Sequence, residues 1–176
     1  SEALVKKGIK YSVSSLRADT LREPLMEGLA FSGHKTLTIA PEAGSERLRG
    51  LINKGITEDH ILDSIKLAKK HGIENVKLYY IIGLPTETDG DIKEMINFII
   101  DVKAYMQGLN SRGNLTISVN PFIPKPFTPL QWCAMAPIKD LRAKEKRLKS
   151  QLMPKGIRVA FESPRMSQIQ SALSRG

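Results

Sequence analysis

The sequence has little cysteine: its 176 residues include a single one, Cys133. One cysteine excludes an internal disulfide framework and any metal site built from several thiolates of this chain. Apolar runs long enough to cross a membrane are missing, and the first residues contain no apolar signal segment, so we expect a cytoplasmic protein. Acidic residues are also scarce, 18 against 27 basic ones, which gives a net charge of +9.

Short β-rich runs alternate with longer amphipathic stretches along the chain. The five runs with a strand pattern are Tyr11–Ser15, Thr36–Ile39, Val76–Ile82, Leu115–Val119 and Ile157–Phe161. Their midpoints lie roughly 25 to 42 residues apart, which is typical of parallel strands joined by crossover helices. The pattern predicts an α/β fold, either as a small open sheet or as part of a larger (βα) barrel.

Helix start signals lie between these runs. Thr57 and Thr88 each precede acidic residues and are predicted to cap helices. Thr20 and Glu23 have the spacing of a capping box, which predicts a short helix that begins at Thr20. A further helix is predicted from about residue 138 to residue 153.

Glycine, proline and charged residues concentrate in four segments that follow predicted strands. These are residues 14–19, 41–46, 83–88 and 120–129. The carboxyl ends of parallel strands meet on one rim, where α/β proteins bind ligands, so we predict a binding face there. Gly83 would let a ligand ring approach the backbone, although a plain turn explains this glycine as well.

Several charged residues of these segments are candidate site residues. Glu42 and Lys54 could clamp a zwitterionic amino-acid group between carboxylate and ammonium, or could be two surface charges. Arg17 and Asp19 could anchor a polar substrate or pair with each other. Lys125 lies in a proline-rich stretch that is predicted to form one stiff wall of a pocket.

The strongest charge imbalance lies in residues 139–158, which contain eight basic and two acidic residues. Such a segment is either a solvated helix face or a phosphate-binding surface for RNA. No aromatic residues are interleaved with the basic ones, which argues against stacking on single-stranded bases. An RNA- or partner-binding α/β module therefore remains one alternative for the function.

Three segments, in this order and spacing, resemble the radical SAM superfamily. They are residues 36–49 (TLTIAPEAGSERLR), 52–57 (INKGIT) and 77–88 (KLYYIIGLPTET). They are similar to the branch that includes oxygen-independent coproporphyrinogen oxidase, the tRNA methylthiotransferases and the Elongator catalytic subunit. Residues 121–132 (PFIPKPFTPLQW) resemble a subgroup in which a cobalamin-binding-like domain often precedes the radical SAM barrel.

The resemblance implies the C-terminal part of a partial (βα)6 TIM-type barrel. Residues 1–136 would supply about strands three to six, and residues 137–176 a basic helix, a strand and a helix that extend the same domain. S-adenosylmethionine would lie across the strand ends. The residues implied to contact it are Glu42 and Lys54 at the methionine or ribose part, Tyr79 where some relatives have a ribose-binding aspartate, and Gly83, Leu84 and Pro85 behind the adenine. Arg17 would face the substrate or the methionine group. Asp19 and Lys125 are the other substrate-facing candidates, on the basis of their positions in the loops.

The implied activity is that of an iron–sulfur oxidoreductase. A [4Fe–4S] cluster, reduced by flavodoxin or ferredoxin, would cleave S-adenosylmethionine reductively to start radical chemistry on an unknown substrate, with cobalamin possible upstream. The family's CxxxCxxC cluster loop follows strand one, whereas Cys133 follows strand six. We therefore interpret the chain as a fragment without a metal site, inactive alone, whose open sheet edges favour self-association.

Three function hypotheses follow from the sequence. The first is the fragment of a radical SAM enzyme, and the second is the RNA- or partner-binding module, with tRNA modification as the runner-up substrate class. The third is a different (βα) enzyme that uses Glu42 and Lys54 directly as acid and base.

Overall fold

A single sheet of four parallel strands organises the computed structural model, which describes residues 5–174. The strands, adjacent in the order of the chain, are β1 (Thr36–Glu42), β2 (Asn75–Ile82), β3 (Leu115–Pro121) and β4 (Arg158–Phe161). The helices are α1 (Glu23–Phe31), α2 (Glu46–Leu51), α3 (Glu58–Lys70), α4 (Asp89–Gly108), α5 (Ile138–Leu152) and α6 (Pro164–Leu173). Consecutive parallel βα units of this kind form part of a TIM-type barrel, which confirms the predicted fold class.

The two faces of the sheet differ in polarity. Side chains alternate along β2 and β3, and one set, including Leu78, Ile82, Ile117 and Val119, is fully buried in the hydrophobic core. The apolar sides of α1, α3, α4 and α5 pack on this outer face. The opposite set on the inner face is half-buried and mostly polar: Lys77, Tyr79, Thr116, Ser118 and Asn120. The inner face of these strands would line the interior of a closed barrel.

The helix caps predicted at Thr57 and Thr88 are confirmed. The Thr57 side chain accepts a hydrogen bond from the His60 backbone at the start of α3, and the Thr88 side chain accepts one from the Asp91 backbone at the start of α4. Gly72 follows α3 with a φ of 76°, the left-handed conformation that ends many helices. Within residues 5–174, no helix is long and apolar enough to cross a membrane.

The predicted first strand, Tyr11–Ser15, is wrong. Its first residue bonds to side chains instead of to a neighbouring strand: the Tyr11 N–H donates to Ser32 Oγ at 3.2 Å, and His34 Nε2 lies 3.2 Å from the Tyr11 carbonyl oxygen. The chain meets β1 at one bridge just after this segment, where the Leu16 N–H donates to the Thr38 carbonyl at 2.9 Å. Backbone groups engaged this way cannot extend a ladder of strand hydrogen bonds.

The capping box predicted at Thr20 is also wrong. Residues Ala18–Thr20 form a single 3-10 turn, and the Thr20 hydroxyl donates to the Arg17 carbonyl at 3.1 Å. The following helix α1 begins at Glu23, and its N-cap residue, Arg22, makes no capping bond with its side chain. The short helix is present, but Thr20 lies in the turn before it and therefore cannot cap it.

Candidate functional site

The end of β1 has an irregular backbone that places Glu42 at the rim of the sheet. The register between β1 and β2 shifts between Ile39 and Glu42, so that one extra residue lies on β1. Glu42 itself has a φ of 69°, a conformation that is costly for a residue with a Cβ. Bulges and strained residues of this kind re-aim side chains next to binding sites.

Lys54 is the partner of Glu42, since Lys54 Nζ lies 3.1 Å from Glu42 Oε1. The two residues beside Lys54 explain how a lysine after α2 turns back to β1: Asn53 and Gly55 both have a φ of 53°. Asparagine and glycine are the residues that adopt this left-handed conformation most readily. The Asn-Lys-Gly sequence therefore fixes a tight turn that returns the ammonium to the rim.

An inner cavity of about 420 Å³ lies at the carboxyl ends of β1, β2 and β3. Its lining combines the ends of these strands with the segments before β1 and after β4: Ser14, Ser15, Ala40, Glu42, Tyr79, Tyr80, Ile81, Asn120, Pro121, Ile123 and Glu162. Hydroxyl, amide and carboxylate groups make up much of this lining. The predicted binding face at the strand ends is therefore a real depression, of the size of small-molecule sites.

A rim cavity of about 470 Å³ adjoins it beneath the proline-rich segment after β3. At one end it has the polar side chains Glu42, Asn53 and Lys54, and its other walls include the apolar residues Ile81, Leu84, Phe122 and Leu130. A second hydrophobic cluster of Ala43, Leu48, Leu84 and Phe122 supports these walls. The rim cavity thus offers a charged end and an apolar slot.

The two cavities meet, since Glu42, Ile81 and Ile123 line both of them. The Glu42 carboxylate therefore lies where a ligand that extends from one cavity to the other would pass. Tyr79 lines the inner cavity, and the Lys77 ammonium lies 4.7 Å from the centre of its ring. Lys125 lines the rim cavity.

Arg17 and Asp19 pair with each other at 2.8 Å and line neither cavity. The hydrogen bond from the Arg17 guanidinium lowers the pKa of the Asp19 carboxyl below its ordinary value. Of the two interpretations that the sequence left open for these residues, the structure shows the pairing.

Gly83 faces a helix and not a cavity. It has a φ of 79°, and a Cβ placed on it would lie 2.9 Å from both Ala136 Cβ and Leu141 Cδ2. Its N–H donates to Glu87 Oε1 at 2.8 Å, and the same carboxylate pairs with Lys144 of α5. Leu84 lines the rim cavity, whereas Pro85 is half-buried outside both. The Gly-Leu-Pro turn is therefore packed against α5, with one of its three residues facing the predicted ligand site.

Asp91 is a structural residue of the site that the sequence analysis missed. Its buried carboxylate accepts hydrogen bonds from Arg47 Nη2 at 2.7 Å, from the Thr88 N–H and hydroxyl, both at 2.7 Å, and from the Ser45 hydroxyl. Burial by itself raises the pKa of Asp91, but the bonds from Arg47, Ser45 and Thr88 outweigh burial and hold the pKa well below its ordinary value. Asp91 thereby ties the loop after β1 to the loop after β2.

Arg49 of α2 is a second residue that the sequence analysis missed, since nothing in the sequence of this short helix indicates that an arginine would be buried. It is 1% exposed, its Nη1 lies 3.5 Å from the Ala43 carbonyl oxygen, and its Nη2 lies 3.8 Å from Glu58. Burial raises the pKa of Glu58 and of the nearby Tyr80, whose hydroxyl has no partner among the described residues. Arg49 thus places a buried cation beside the backbone of Ala43, the residue that follows Glu42.

Metal ligands are not grouped in the described part of the chain: among residues 5–174, no three His, Cys, Asp or Glu side chains come together as a metal site. Cys133 is half-buried and packs against the cluster beneath the rim cavity. Iron–sulfur clusters are held by several thiolates, so the residues of this chain do not fit such a cluster.

Comparison with known sequences identifies the family. A model of the radical SAM superfamily matches residues 2–99. The uncharacterized protein MJ0966 of Methanocaldococcus jannaschii is 47% identical over 171 residues, which are 96% of this chain and 36% of that protein. An uncharacterized methyltransferase of Pyrococcus horikoshii, PH0819, is 33% identical over 51% of this chain and 19% of its own length. MJ0865 of M. jannaschii, whose name assigns it provisionally to the methylthiotransferases, is 31% identical over 58% of this chain and 22% of its own length.

This chain spans about a third of the length of MJ0966. Because the family model matches more than half of its residues, the chain belongs to the radical SAM superfamily.

Proposed function

We propose that this chain forms the S-adenosylmethionine-binding part of a radical SAM enzyme. One observation supports the proposal most directly: the inner and rim cavities meet at Glu42, on the carboxyl ends of parallel strands. Parallel α/β folds bind their ligands at this edge. The rim cavity offers a charged end and an apolar slot, and S-adenosylmethionine has one charged and one aromatic end.

The residues present fit this ligand. The apolar slot formed by Ile81, Leu84 and Phe122 would take the flat adenine, because aromatic rings gain free energy when they leave water. Glu42 would accept hydrogen bonds from the ribose hydroxyls or the ammonium, and Lys54 would bind the methionine carboxylate. The ion pair that these two side chains form at 3.1 Å keeps both charges in place until such a ligand separates them.

S-adenosylmethionine bound beside a reduced [4Fe–4S] cluster supplies the radical chemistry of this family. Because this chain has one cysteine, we propose that the cluster is held by residues outside this sequence and that the chain alone is inactive. The part described here would bind and orient the cofactor and exclude water from it. We further propose a cytoplasmic protein that receives electrons from flavodoxin or ferredoxin, with cobalamin as an additional cofactor to be assayed.

Binding of S-adenosylhomocysteine to this chain, measured by calorimetry, tests the cofactor site. We expect Glu42→Gln and Lys54→Met each to weaken binding roughly tenfold, since each removes a charge-assisted hydrogen bond. Glu46→Gln is the matched control, because Glu46 is exposed and lines neither cavity, and its affinity should equal that of the unchanged chain. Equal affinities for all four proteins would refute the assigned contacts.

The full-length protein provides the test of the activity. After reconstitution without oxygen, we expect iron and sulfide to be bound and the low-temperature EPR signal of the reduced protein to change when S-adenosylmethionine is added. The names of two relatives include methyl or methylthio transfer, so these reactions are the first to assay. An intact protein without any cluster would contradict the proposal.

A second candidate function, RNA binding, is favoured by the surface of α5. Arg142, Lys146 and Lys149 are exposed at a spacing of four and three residues, so they lie on one face of the helix. A stripe of cations of this kind suits a phosphate backbone, and a tRNA substrate would combine both functions. The affinity for tRNA should fall as the salt concentration rises. A variant in which all three residues are changed to glutamine should show a weaker dependence of tRNA affinity on salt.

A further inference from the structure

We propose that the inner cavity selects a substrate with a positively charged group, an amine or a guanidinium, and that Glu162 is the residue that recognises it. The inference rests on the proposed function, since it assigns the substrate class to the cavity beside the cofactor site. The charge of the inner face changes along the strands, from their amino ends to their carboxyl ends.

Neighbouring strands of the sheet place their inner side chains in rows. Lys77 of β2 is in register with Thr116 of β3, which is in register with Arg158 of β4, so this row contains two cations. One row nearer the carboxyl ends, Tyr79 is in register with Ser118. The inner face is therefore basic towards the amino ends of the strands.

The next row, at the carboxyl ends, includes a carboxylate and no cation. Ile81 is in register with Asn120, and the N–H of Glu162, the residue after β4, donates to the Val119 carbonyl at 3.1 Å, continuing the ladder. Glu42, Asn120 and Glu162 all line the inner cavity. The cavity mouth thus has a carboxylate on each side, in a chain whose net charge is +9.

The two carboxylates differ in their partners. Glu42 is neutralised by Lys54 at 3.1 Å. Glu162 accepts one hydrogen bond, from the neutral amide of Gln170 at 3.2 Å, and among residues 5–174 no lysine or arginine lies within ion-pair distance of it. A carboxylate that lines a cavity and has no cation beside it attracts one from a ligand through its charge.

The remaining lining suits a small polar cation. Ser14 and Ser15 supply hydroxyls opposite the strand ends, and Asn120 supplies an amide beside Glu162. The Tyr79 ring also lines the cavity. Asn120 and Glu162 lie beyond residues 2–99, which the superfamily model matches.

The test is an NMR titration of the ¹⁵N-labelled chain with n-butylammonium, n-butylguanidinium and neutral n-butanol at constant ionic strength. We expect both cations, and not the alcohol, to give saturable shifts of the amide signals of Tyr79, Asn120 and Glu162. Non-specific binding of cations is disfavoured by the net charge of +9, which keeps the background low. Equal saturable shifts with n-butanol would overturn the inference.

Variants test whether the Glu162 carboxylate is the group that binds the cation. Glu162→Gln should weaken cation binding roughly fivefold or more, because a hydrogen bond to a charged group is replaced by a neutral one. Glu162→Asp, which keeps the charge on a shorter side chain, should restore part of the affinity. Glu94→Gln is the matched control: Glu94 is exposed on α4 and lines neither cavity, so its cation affinity should not change. Unchanged cation affinity in Glu162→Gln would overturn the assignment.

A parallel titration with S-adenosylhomocysteine separates this inference from the proposed function. Glu162→Gln should bind it as tightly as the unchanged chain does, since Glu162 does not line the rim cavity. If S-adenosylhomocysteine binds and the cations do not, the substrate class is wrong and the cofactor site stands. If the cations bind at Glu162 and S-adenosylhomocysteine does not bind, the cofactor site is wrong and the cation site stands.

Discussion

Asp91 connects two loops of the site, and its replacement by asparagine is the sharpest test of how they are held together. The change keeps the size of the side chain and removes its charge. One carboxylate oxygen becomes an NH₂ group, which is a hydrogen-bond donor. It would face the donors that now bind the carboxylate: the guanidinium of Arg47, the hydroxyl of Ser45, and the N–H and hydroxyl of Thr88.

The size of the effect follows from burial and from the number of bonds. Asp91 is 3% exposed, so water cannot replace the lost partners. Hydrogen bonds to a charged group contribute about 1.5–3 kcal/mol each, and breaking a fully buried pair costs about 3–5 kcal/mol. The Arg47 side chain is 52% exposed and can turn to solvent, which reduces the loss. We expect Asp91→Asn to lower the free energy of unfolding by about 2–4 kcal/mol and the melting temperature by roughly 4–16 °C.

Urea unfolding followed by circular dichroism measures this free energy. The matched control is Asp89→Asn in the same turn of α4, because the Asp89 side chain is 90% exposed and its nearest cation, Arg147, is 3.6 Å away. An exposed pair of this kind contributes about 0–1 kcal/mol. If Asp91→Asn and Asp89→Asn had the same small effect, the reasoning about the Asp91 network would be refuted.

The pH dependence gives a second check on Asp91. Its pKa in the folded chain is lower than its ordinary value of 3.8, so the carboxylate stabilises the fold above that value. As the pH falls below about 3.8, the unfolded chain takes up the proton first, and the stabilisation is lost. The difference in unfolding free energy between the unchanged chain and Asp91→Asn should therefore shrink in acid and stay constant near neutral pH.

Three further outcomes can be measured. Gly83→Ala should lower the free energy of unfolding by about 2–4 kcal/mol, because the added Cβ would lie 2.9 Å from side-chain atoms of Ala136 and Leu141. Gly156→Ala is the control: Gly156 has a similar φ of 72° but open space around it, so the change should cost about 1–2 kcal/mol. Equal urea midpoints for the two variants would contradict the packing argument. Glu87→Gln should cost about 1–3 kcal/mol in the same assay, since the Glu87 side chain is 1% exposed and loses its pairing with Lys144. Among residues 5–174, no strand covers the outer edge of β4, and β1 has only the single bridge to Leu16 on its outer edge. These edges should make the chain self-associate, and a strictly monomeric mass in sedimentation equilibrium would count against this.

Local sequence signals were sufficient for most of the elements. Thr57 and Thr88 predicted the starts of α3 and α4 because a capping side chain bonds to a backbone N–H only three residues away. The first predicted strand failed for the opposite reason. Tyr11 bonds to residues more than 20 positions away in the chain, Ser32 and His34, and no pattern within a short window contains that information.

The site was predictable in outline for similar reasons. Parallel strands place their following loops on one rim, and this brought Glu42, Lys54 and Lys125 to a common pair of cavities. The sequence could not show that Gly83 is packed against α5, since that contact depends on a helix more than 50 residues later. Nor could it distinguish Asp91 from any other acidic residue in the first turn of a helix, because its partner Arg47 lies 44 positions away.

The contrast between the two faces of the sheet has a consequence for how such a barrel can be divided. The main hydrophobic core lies between the outer face and the helices, while the inner face is mostly polar and half-buried. Separating these four strands from any neighbouring strands would therefore break edge hydrogen bonds but expose little apolar surface. These βα units contain a core of their own. We therefore expect a barrel of this design to tolerate division between its βα units, with each piece keeping the core between its strands and its helices.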